Sequence, residues 1–568
     1  MKIIECVPNI SEGKNPAIYN TVAKECETVK GVKLLDIDPG ATTNRTVITF
    51  AGPPELIADA AFAVIKKAQE LIDMRGHKGE HPRFGATDVC PFVPVSGVTM
   101  AECTEIARGL GKRVGEELGV WVYLYEFAAS KPLWKNLAEV RKGEYESLPG
   151  RVGKPEWKPD FGPEKLDAKF GAVAIGARKF LVAYNINMNS TNKKLANDIA
   201  YNIREKGRSQ REYYPDGPIV RNADGKPVKQ PGLFQNCKAG AWIIPEYNRA
   251  QITMNLTDID QTPVHQVFDS VDKQASERGM RVTGSEIVGL VPLQSLLEAG
   301  KFYLQRQGLS TAVAEAELVR TAVLSLGLND VSPFKPDEKI VEYRFRRLQS
   351  LAGMKITEFA DTLASEAPAP GGGSTAALCG ALAAALAAMV SNLTFGKNDY
   401  KDTWQEMEKV GCKGQALKAW FLTAIDRDTD AFNVVMDSMR LPKKTEEEKA
   451  YQASALENAN KNATLVPLEV LERTVEIIPL LKTVAESGNV NSVSDAGVGA
   501  HCALTCAEGA ALNVRINLPG VSDQMFKEDC MKRMNEALAE VRSGCAVIVK
   551  IVDGKLGEKK VNGEGEES

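Results

Sequence analysis

Histidine is scarce in this chain: its 568 residues hold four, at positions 77, 81, 265 and 501. A proton-transfer enzyme working near neutral pH therefore has few imidazoles to draw on. The eleven cysteines form no CxxC pair, and the tightest spacing, Cys502–Cys506, has only His501 beside it. Scattered single cysteines in apolar surroundings are expected to be reduced, buried thiols rather than metal or redox sites. No charge of one sign dominates: 70 basic side chains against 74 acidic leave a net charge of −4, so no global basic field draws the chain to nucleic acid. Long apolar runs are missing too. The longest uncharged one, Ala376 to Val390, is mostly alanine and falls short of the roughly 20 residues that a bilayer span requires. At the N-terminus, MKIIECVPNISEG reaches Glu5 and Pro8 too early for a signal-peptide core. The chain is expected to be soluble and cytoplasmic, binding neither membrane nor nucleic acid.

What is present is an ordinary globular balance, 44% hydrophobic and 25% charged residues, long enough for about three to four domains. The first third alternates strand and helix: Lys2–Val7, a helical period near 15–28, Val32–Asp38, Arg45–Phe50, a helix from Pro54 to Ile72, Val89–Val95, a helix at 99–118 and Val120–Tyr125. That order is a split βαβ arrangement. The grammar then repeats. Asn44-Arg45 with TVITF is answered by Asn248-Arg249 with AQITM, and FVPV at 92–95 by LVPL at 290–293, with KFLVAYNIN (179–187) opening the second copy. Internal duplication is the favoured reading, with the Gly/Pro-rich segment 207–232 as a surface insertion. IVEYRF (340–345) reads as a last strand. Beyond Lys355 only helical period remains, at 356–365, 374–395, 403–440, 446–486, 494–514 and 522–552. The fold class is therefore multidomain: α/β, with two duplicated ferredoxin-like-type subdomains (1–180 and 181–346), a linker (347–354), an all-α domain (355–552) and a disordered tail (553–568).

The densest polar cluster is Arg75-Gly-His77-Lys-Gly-Glu80-His81-Pro82-Arg83. It matches the inverted zinc-peptidase spacing H-x-x-E-H, which needs both imidazoles on one helical face. Gly79 and Pro82 oppose a helix there, so a loop is expected and zinc is disfavoured. As a loop it offers two imidazoles and the cations Arg75, Lys78 and Arg83, with Arg45, to hold carboxylates. Asp36 or Asp38, at the end of an early strand, could orient an imidazole; His265 reads as a structural histidine. In the second half, APAPGGGS (367–374) bares backbone N–H groups at a helix start, where the dipole favours an anion. On a later helix, Asp426 and Asp430 share a face, and their mutual repulsion would raise a pKa if they were buried. By itself that pattern is equally a solvated acidic face.

The strings ECVPNISEGKN, LLDIDPGATTNRTV, LIDMRGHKGEHPRFGATDVCPFVPV, DFGP, GARKFLVAYNIN and VGLVPL resemble the glutamate formiminotransferase family across nearly all of residues 1–346. The resemblance implies His81 as general acid/base with Asp38 as its partner. It also implies folate-binding segments on Gly162, Pro163, Glu164, Lys165, Leu166, Asp167, Ala168, Lys169, Phe170 and Gly171, and on Gly232, Leu233 and Phe234. APGGGS, the DRDTDAF helix and RLPKKTEEEK are similar to formiminotetrahydrofolate cyclodeaminases, over about 355–550. That similarity implies Asp428 as catalytic, with Gly371, Gly372, Gly373 and Ser374 holding an anion of the folate. The chain as a whole resembles the fused bifunctional family of histidine degradation. This wider resemblance implies N-formimino-L-glutamate and polyglutamylated tetrahydrofolate as substrates, no metal or nucleotide cofactor, and a homo-oligomer formed through the helical domain. Two rivals stand beside it: a transferase whose helical half only binds folate or dimerises, and a zinc hydrolase.

Overall fold

The structure is a computed structural model that describes residues 2–79, 83–246, 248–346 and 350–563, the side chains of 558–563 excepted. The chain forms two compact units, Met1–Ala299 with Ala322–Arg346, and Gly300–Thr321 with Arg347–Ser568.

In the first unit, β1 (Ile3–Cys6) and β2 (Asn9–Ile10) are one strand interrupted at Val7-Pro8. It pairs antiparallel with β4 (Arg45–Gly52) on one side and β5 (Thr87–Ser96) on the other. β3 (Lys33–Gly40) adds outside β4, while β6 (Trp121–Glu126) and β7 (Ala172–Ala177) extend the sheet in parallel beyond β5. Helices α1 (Pro16–Lys24), α2 (Pro54–Leu71) and α3 (Met100–Glu117) cover one face. Alternation along the strands sends Ile4, Cys6, Ile48, Phe50, Cys90, Phe92, Val173 and Ile175 into that core and their neighbours to the opposite face. The irregular stretch between β6 and β7, with α4 (Leu137–Val140), buries Trp134, Val140 and Leu148 against Tyr123 and Tyr125.

A second sheet follows from β8 (Val182–Met188), α5 (Lys193–Ile203), a short β9–β10 ladder (Arg208–Ser209 with Lys229–Gln230), β11 (Cys237–Ile244), β12 (Arg249–Leu256), α6 (Val264–Glu277) and β13 (Val282–Val288). Its order, β11-β12-β8-β13, repeats the β3-β4-β1/β2-β5 order of the first sheet. The duplication reaches individual residues. Asn44 and Asn248, each just before the third strand of its copy, share the left-handed conformation with φ of 49° and 47°, which asparagine tolerates better than most residues. Asn15 and Asn192 both cap the first helix of their copy with a side-chain oxygen. The inserted segment 207–232 carries the β9–β10 ladder.

After α7 (Leu293–Arg306), α8 (Glu315–Ser325) and α9 (Pro336–Lys339), the expected strand 340–345 does not form. Ile340 makes one isolated bridge to Val291, and Glu342–Phe345 is a 3-10 turn. The Glu342 carboxylate accepts from the backbone N–H of Leu293 at the start of α7, a bond between residues distant in sequence that holds this turn in place.

The second unit is helical: α10 (Ile356–Leu363), α11 (Gly372–Thr394), α12 (Trp404–Met439), α13 (Glu446–Val475), α14 (Ile477–Ser487), α15 (Val493–Asn517) and α16 (Gln524–Gly563). Residues 300–321, which the sequence pattern assigns to the second α/β subdomain, group instead with this unit. Glu408 accepts from the N–H and hydroxyl of Thr311, and Asn392 donates to the Ala312 carbonyl. The segment 446–486, expected as one helix, is two, because Pro479 cannot donate back across the junction. The last helix runs on into the stretch expected as a disordered tail; residues 564–568 lie outside the described ones.

Helix α11 is long and apolar enough to cross a membrane by length and composition, yet over half of its apolar window is buried within the unit. Its alanines pack against α12 and α15, and glycines set the closeness. A Cβ on Gly380 would stand 2.5 Å from the Phe421 ring, and one on Gly414 3.0 Å from the Ala384 carbonyl oxygen. The small-residue face thus serves the interior of the bundle.

Candidate active sites

On the face of the first sheet opposite α1–α3, β3 presents Asp36 and Asp38, alternating with Ile37, and the central strand presents Glu5. Asp36 is half-buried, and burial followed by the neighbouring Asp38 charge pushes its carboxyl above the usual range. Asp38 itself is exposed.

The histidine loop is tied down at both ends. The Asn44 carboxamide accepts from Gly13 N–H and donates to the Lys78 carbonyl, both at 3.0 Å. His77 Nε2 donates to the Asn44 carbonyl at 2.9 Å. Gly79 lies so close to the hairpin that a Cβ would meet the Thr43 carbonyl oxygen at 2.2 Å. Burial holds the His77 imidazole below its usual pKa, favouring the neutral ring, although the bond to Asn44 opposes this. His81, with Glu80 and Pro82, lies outside the described residues. On the far side, the Arg83 carbonyl accepts from Tyr145 N–H at 2.8 Å, and its guanidinium pairs with Glu144 and Glu146.

The first segment expected to bind folate packs on the described part of this loop and its flanks. Met74 N–H donates to the Lys169 carbonyl, Ala86 N–H donates to the Phe170 carbonyl, and Gly85 bridges Gly171. Asp167 shapes the turn by accepting from Lys169 N–H, Tyr145 donates to the Ala168 carbonyl, and Phe170 is fully buried. Gly162 needs its left-handed φ of 113°, and Pro163 accepts from the Trp121 indole. Glu164 and Lys165 are exposed, with Leu166 half-buried. The second segment is held elsewhere: Leu233 and Phe234 N–H groups donate to the Asn202 and Ile203 carbonyls at the end of α5, and Gly232 abuts Arg204. Among the described residues, no hydrogen bond ties 232–234 to the histidine loop.

The candidate cations separate by their partners. Arg75 is exposed and engaged by Asp73, Arg83 carries two glutamates, and Lys78 contributes its carbonyl. Arg45 is different. Its guanidinium lies 4.0 Å from Asp88, whose side chain is 1% exposed and also accepts from Arg141 at 2.7 Å. Burial lowers the Arg45 pKa, while Asp88, Tyr125 and Asp38 favour its charge. Sequence reasoning missed Asp88 and Arg141. Asp88 lay in the string GATDV at a strand start and could have been found; Arg141 lies in a stretch without periodicity. His265 is buried on α6, and burial lowers its pKa, as suits a structural histidine.

In the helical unit, the glycine-rich start of α11 meets the aspartate helix α12. Ser374, fully buried, donates to the Ile425 carbonyl at 3.1 Å and to Asp428 Oδ2 at 3.3 Å. Gly373 lies against the same carboxylate: a Cβ there would stand 2.2 Å from Asp428 Oδ1. Gly371 caps the helix without a side chain, and Gly372 faces Asn513. Burial raises the Asp428 carboxyl above the ordinary aspartate range, outweighing the Ser374 hydrogen bonds that lower it. The expected repulsion between Asp426 and Asp430 is not the cause of any such shift. Asp426 instead accepts from Leu351 N–H at 2.8 Å and holds the turn ahead of α10. A carboxyl whose pKa is raised by burial against a glycine-lined helix start is suited to relay a proton.

Family models match in three consecutive blocks: Formiminotransferase domain, N-terminal subdomain, over residues 3–178; Formiminotransferase domain over 183–346; and Formiminotransferase-cyclodeaminase over 355–536. The chain is 39% identical over 557 residues to the formimidoyltransferase-cyclodeaminase of Rattus norvegicus, covering 98% of this chain and 99% of that protein. Its first half is 43% identical over 310 residues to the glutamate formimidoyltransferase of Thermoplasma acidophilum, 54% of this chain and 94% of that one. Its helical half is 44% identical over 207 residues to the methenyltetrahydrofolate cyclohydrolase of Methylorubrum extorquens, 36% of this chain and all of that one.

Proposed function

This chain belongs to the formimidoyltransferase-cyclodeaminase family, and from that premise we propose how its residues divide the work. The enzyme transfers the formimino group of N-formimino-L-glutamate to N5 of tetrahydrofolate, then cyclises 5-formiminotetrahydrofolate to 5,10-methenyltetrahydrofolate with release of ammonia.

In the transfer, N5 attacks the formimino carbon and a tetrahedral centre forms. His81 takes the N5 proton and returns it to the departing glutamate nitrogen, a role worth about 10²–10⁴ in rate. Asp38 orients the imidazolium. The pinning of residues 77–79 on Asn44 and the packing of 167–171 on the loop support a preorganised imidazole beside the folate segment Gly162–Gly171. Arg45 and Arg141, two guanidinium groups sharing the Asp88 carboxylate, supply a positive excess for a substrate carboxylate.

In the cyclisation, N10 attacks the formimino carbon, N10 loses its proton, and the amino group leaves as ammonia once it has gained one. Asp428 relays that proton. The observation that carries this assignment is the Asp428 carboxyl held between Gly373 and Ser374 with its pKa raised by burial. Gly373 and Ser374 therefore act on Asp428, leaving Gly371 and Gly372 nearest to a folate anion. Free thiols, with the Cys6 and Cys90 sulfurs hydrogen-bonded to each other at 3.5 Å, support a reducing, cytoplasmic setting. The exposed apolar side chains Leu382, Met389 and Leu393 on α11 support subunit contact through the helical unit.

The test is spectroscopic, following 5,10-methenyltetrahydrofolate from formiminoglutamate and tetrahydrofolate. His81→Ala should abolish transfer yet release ammonia from supplied 5-formiminotetrahydrofolate; Asp428→Asn should do the reverse. Normal ammonia release by Asp428→Asn would leave the helical half without its assigned acid.

A further inference from the structure

The two copies of the α/β fold differ where the first carries its chemistry. In the first, the connection from α2 to β5 runs from 72 to 86, and its residues 77–79 lie over the hairpin turn at Asn44. In the second, α6 passes to β13 through residues 278–281 alone. The space that the histidine loop fills in one copy is uncovered in the other. A cavity of about 550 Å³ lies there, lined by the loop Asn189–Thr191, by Asn248 and Arg249, and by Arg281 and Thr283. Asn248 and Arg249 are the duplicates of Asn44 and Arg45.

The chemistry of this lining is one-sided. Among the described residues it holds two guanidinium groups, hydroxyls and carboxamides, and no carboxylate. Arg249 donates from Nη1 to the Thr283 hydroxyl at 3.1 Å, which ties its guanidinium to another residue of the lining. Main-chain bonds between Asn189 and Arg281 fix the opposite wall: Asn189 N–H donates to the Arg281 carbonyl at 3.0 Å, and Arg281 N–H donates to the Asn189 carboxamide at 2.7 Å. Neither guanidinium has an ion pair among the described residues. Two guanidinium groups with no ion pair among the described residues, on the rim of a polar cavity, suit a carboxylate.

We infer that the Arg249–Arg281 cavity binds a glutamyl group through its carboxylates, as the second copy's counterpart of the transferase site. The choice of ligand rests on the activity proposed above, because both substrates carry that group: formiminoglutamate is a glutamate derivative, and the folate ends in a glutamyl tail. Loss of the long connecting loop in the duplicate leaves recognition in place and removes the imidazole chemistry.

The experiment measures both KM values of the full-length enzyme with Arg249→Lys, Arg249→Ala and Arg281→Ala. Arg281 is exposed, so its truncation leaves the core intact. Tetrahydrofolate is supplied as the mono- and the triglutamate. Removing one charge-assisted partner should raise a KM by about ten- to a hundredfold with kcat held, and Arg249→Lys should restore part of the loss. A rise in the formiminoglutamate KM assigns the glutamyl group to that substrate. A rise in the folate KM, larger for the triglutamate, assigns it to the tail. Unchanged KM values for both substrates in both alanine variants would overturn the inference. The wild-type rate in the same assay reports separately on the transferase assignment.

Discussion

Glu5 is a buried carboxyl on the face of the first sheet opposite α1–α3, 4% exposed, and its pKa is raised from 4.5 to about 7. Burial is the main cause; Arg178 opposes it and Glu342 adds to it. Below pH 4.5 the folded and unfolded chains both hold this proton. As pH rises toward 7 the unfolded chain releases it first, so folding stability falls, and above 7 the loss is complete. A shift of that size is worth about 3 kcal/mol, of which about 2 kcal/mol falls between pH 5.5 and 7. Glu5→Gln mimics the protonated acid and removes this dependence. The chain has two units and does not promise two-state melting, so the suitable assay is native-state hydrogen exchange of peptides from β1 and β5. The opening free energy of the variant should gain about 2 kcal/mol on that of the wild type between pH 5.5 and 8. A difference that stays within about 0.5 kcal/mol, or that grows with the opposite sign, would refute a desolvated, protonated Glu5.

Gly373→Ala should abolish ammonia release while sparing formimino transfer, because the added methyl takes the place of the Asp428 carboxylate. Ordinary helix propensity would instead predict a harmless gain of about 1 kcal/mol, so unchanged ammonia release in a folded variant would count against the contact. Ser374→Ala removes a donor that lowers the Asp428 pKa, so the carboxylate limb of the ammonia-release pH profile should move to higher pH, with transfer unaffected. An unmoved profile would detach Ser374 from the acid. Asp88→Asn leaves Arg45 and Arg141 without their shared carboxylate; native-state hydrogen exchange of peptides from β5 should show a loss of about 3 kcal/mol or more, accompanied by a changed KM for formiminoglutamate.

The duplication was legible because its markers are backbone-dependent: Asn-Arg before a strand recurs since both copies need a left-handed residue at that turn. Helix positions in the second half were legible from period alone, apart from the junction at Glu476, where Pro479 decides a boundary that the apolar pattern runs through. The strand expected at 340–345 failed because β-favouring composition cannot register one carboxylate capping a helix distant in sequence. Among the aspartates of α12, spacing could pair Asp426 with Asp430 but could not tell which face meets α11. That depends on the glycines at 371–373, which act only once the two helices are packed. Arg141 was invisible for a related reason: an irregular segment has no period from which to infer a direction.

The two candidate sites solve one problem with groups of opposite kind. A proton relay is most effective when its pKa lies near the working pH; an imidazole starts close to that optimum and an ordinary carboxyl well below it. Desolvation disfavours whichever form is charged. It therefore raises the Asp428 carboxyl and lowers His77, the described imidazole of the histidine loop, on which the Arg83 charge acts in the same direction. An open sheet face can supply cations for substrate carboxylates, and there a neutral imidazole avoids adding to their repulsion. A helix bundle packed through alanine and glycine has little room for cations, and there a carboxyl at a helix start gains the dipole and the two donors of Ser374 without any. The scarcity of histidine in the helical half follows from that packing, since the relay it requires is built more compactly from an aspartate than from a ring.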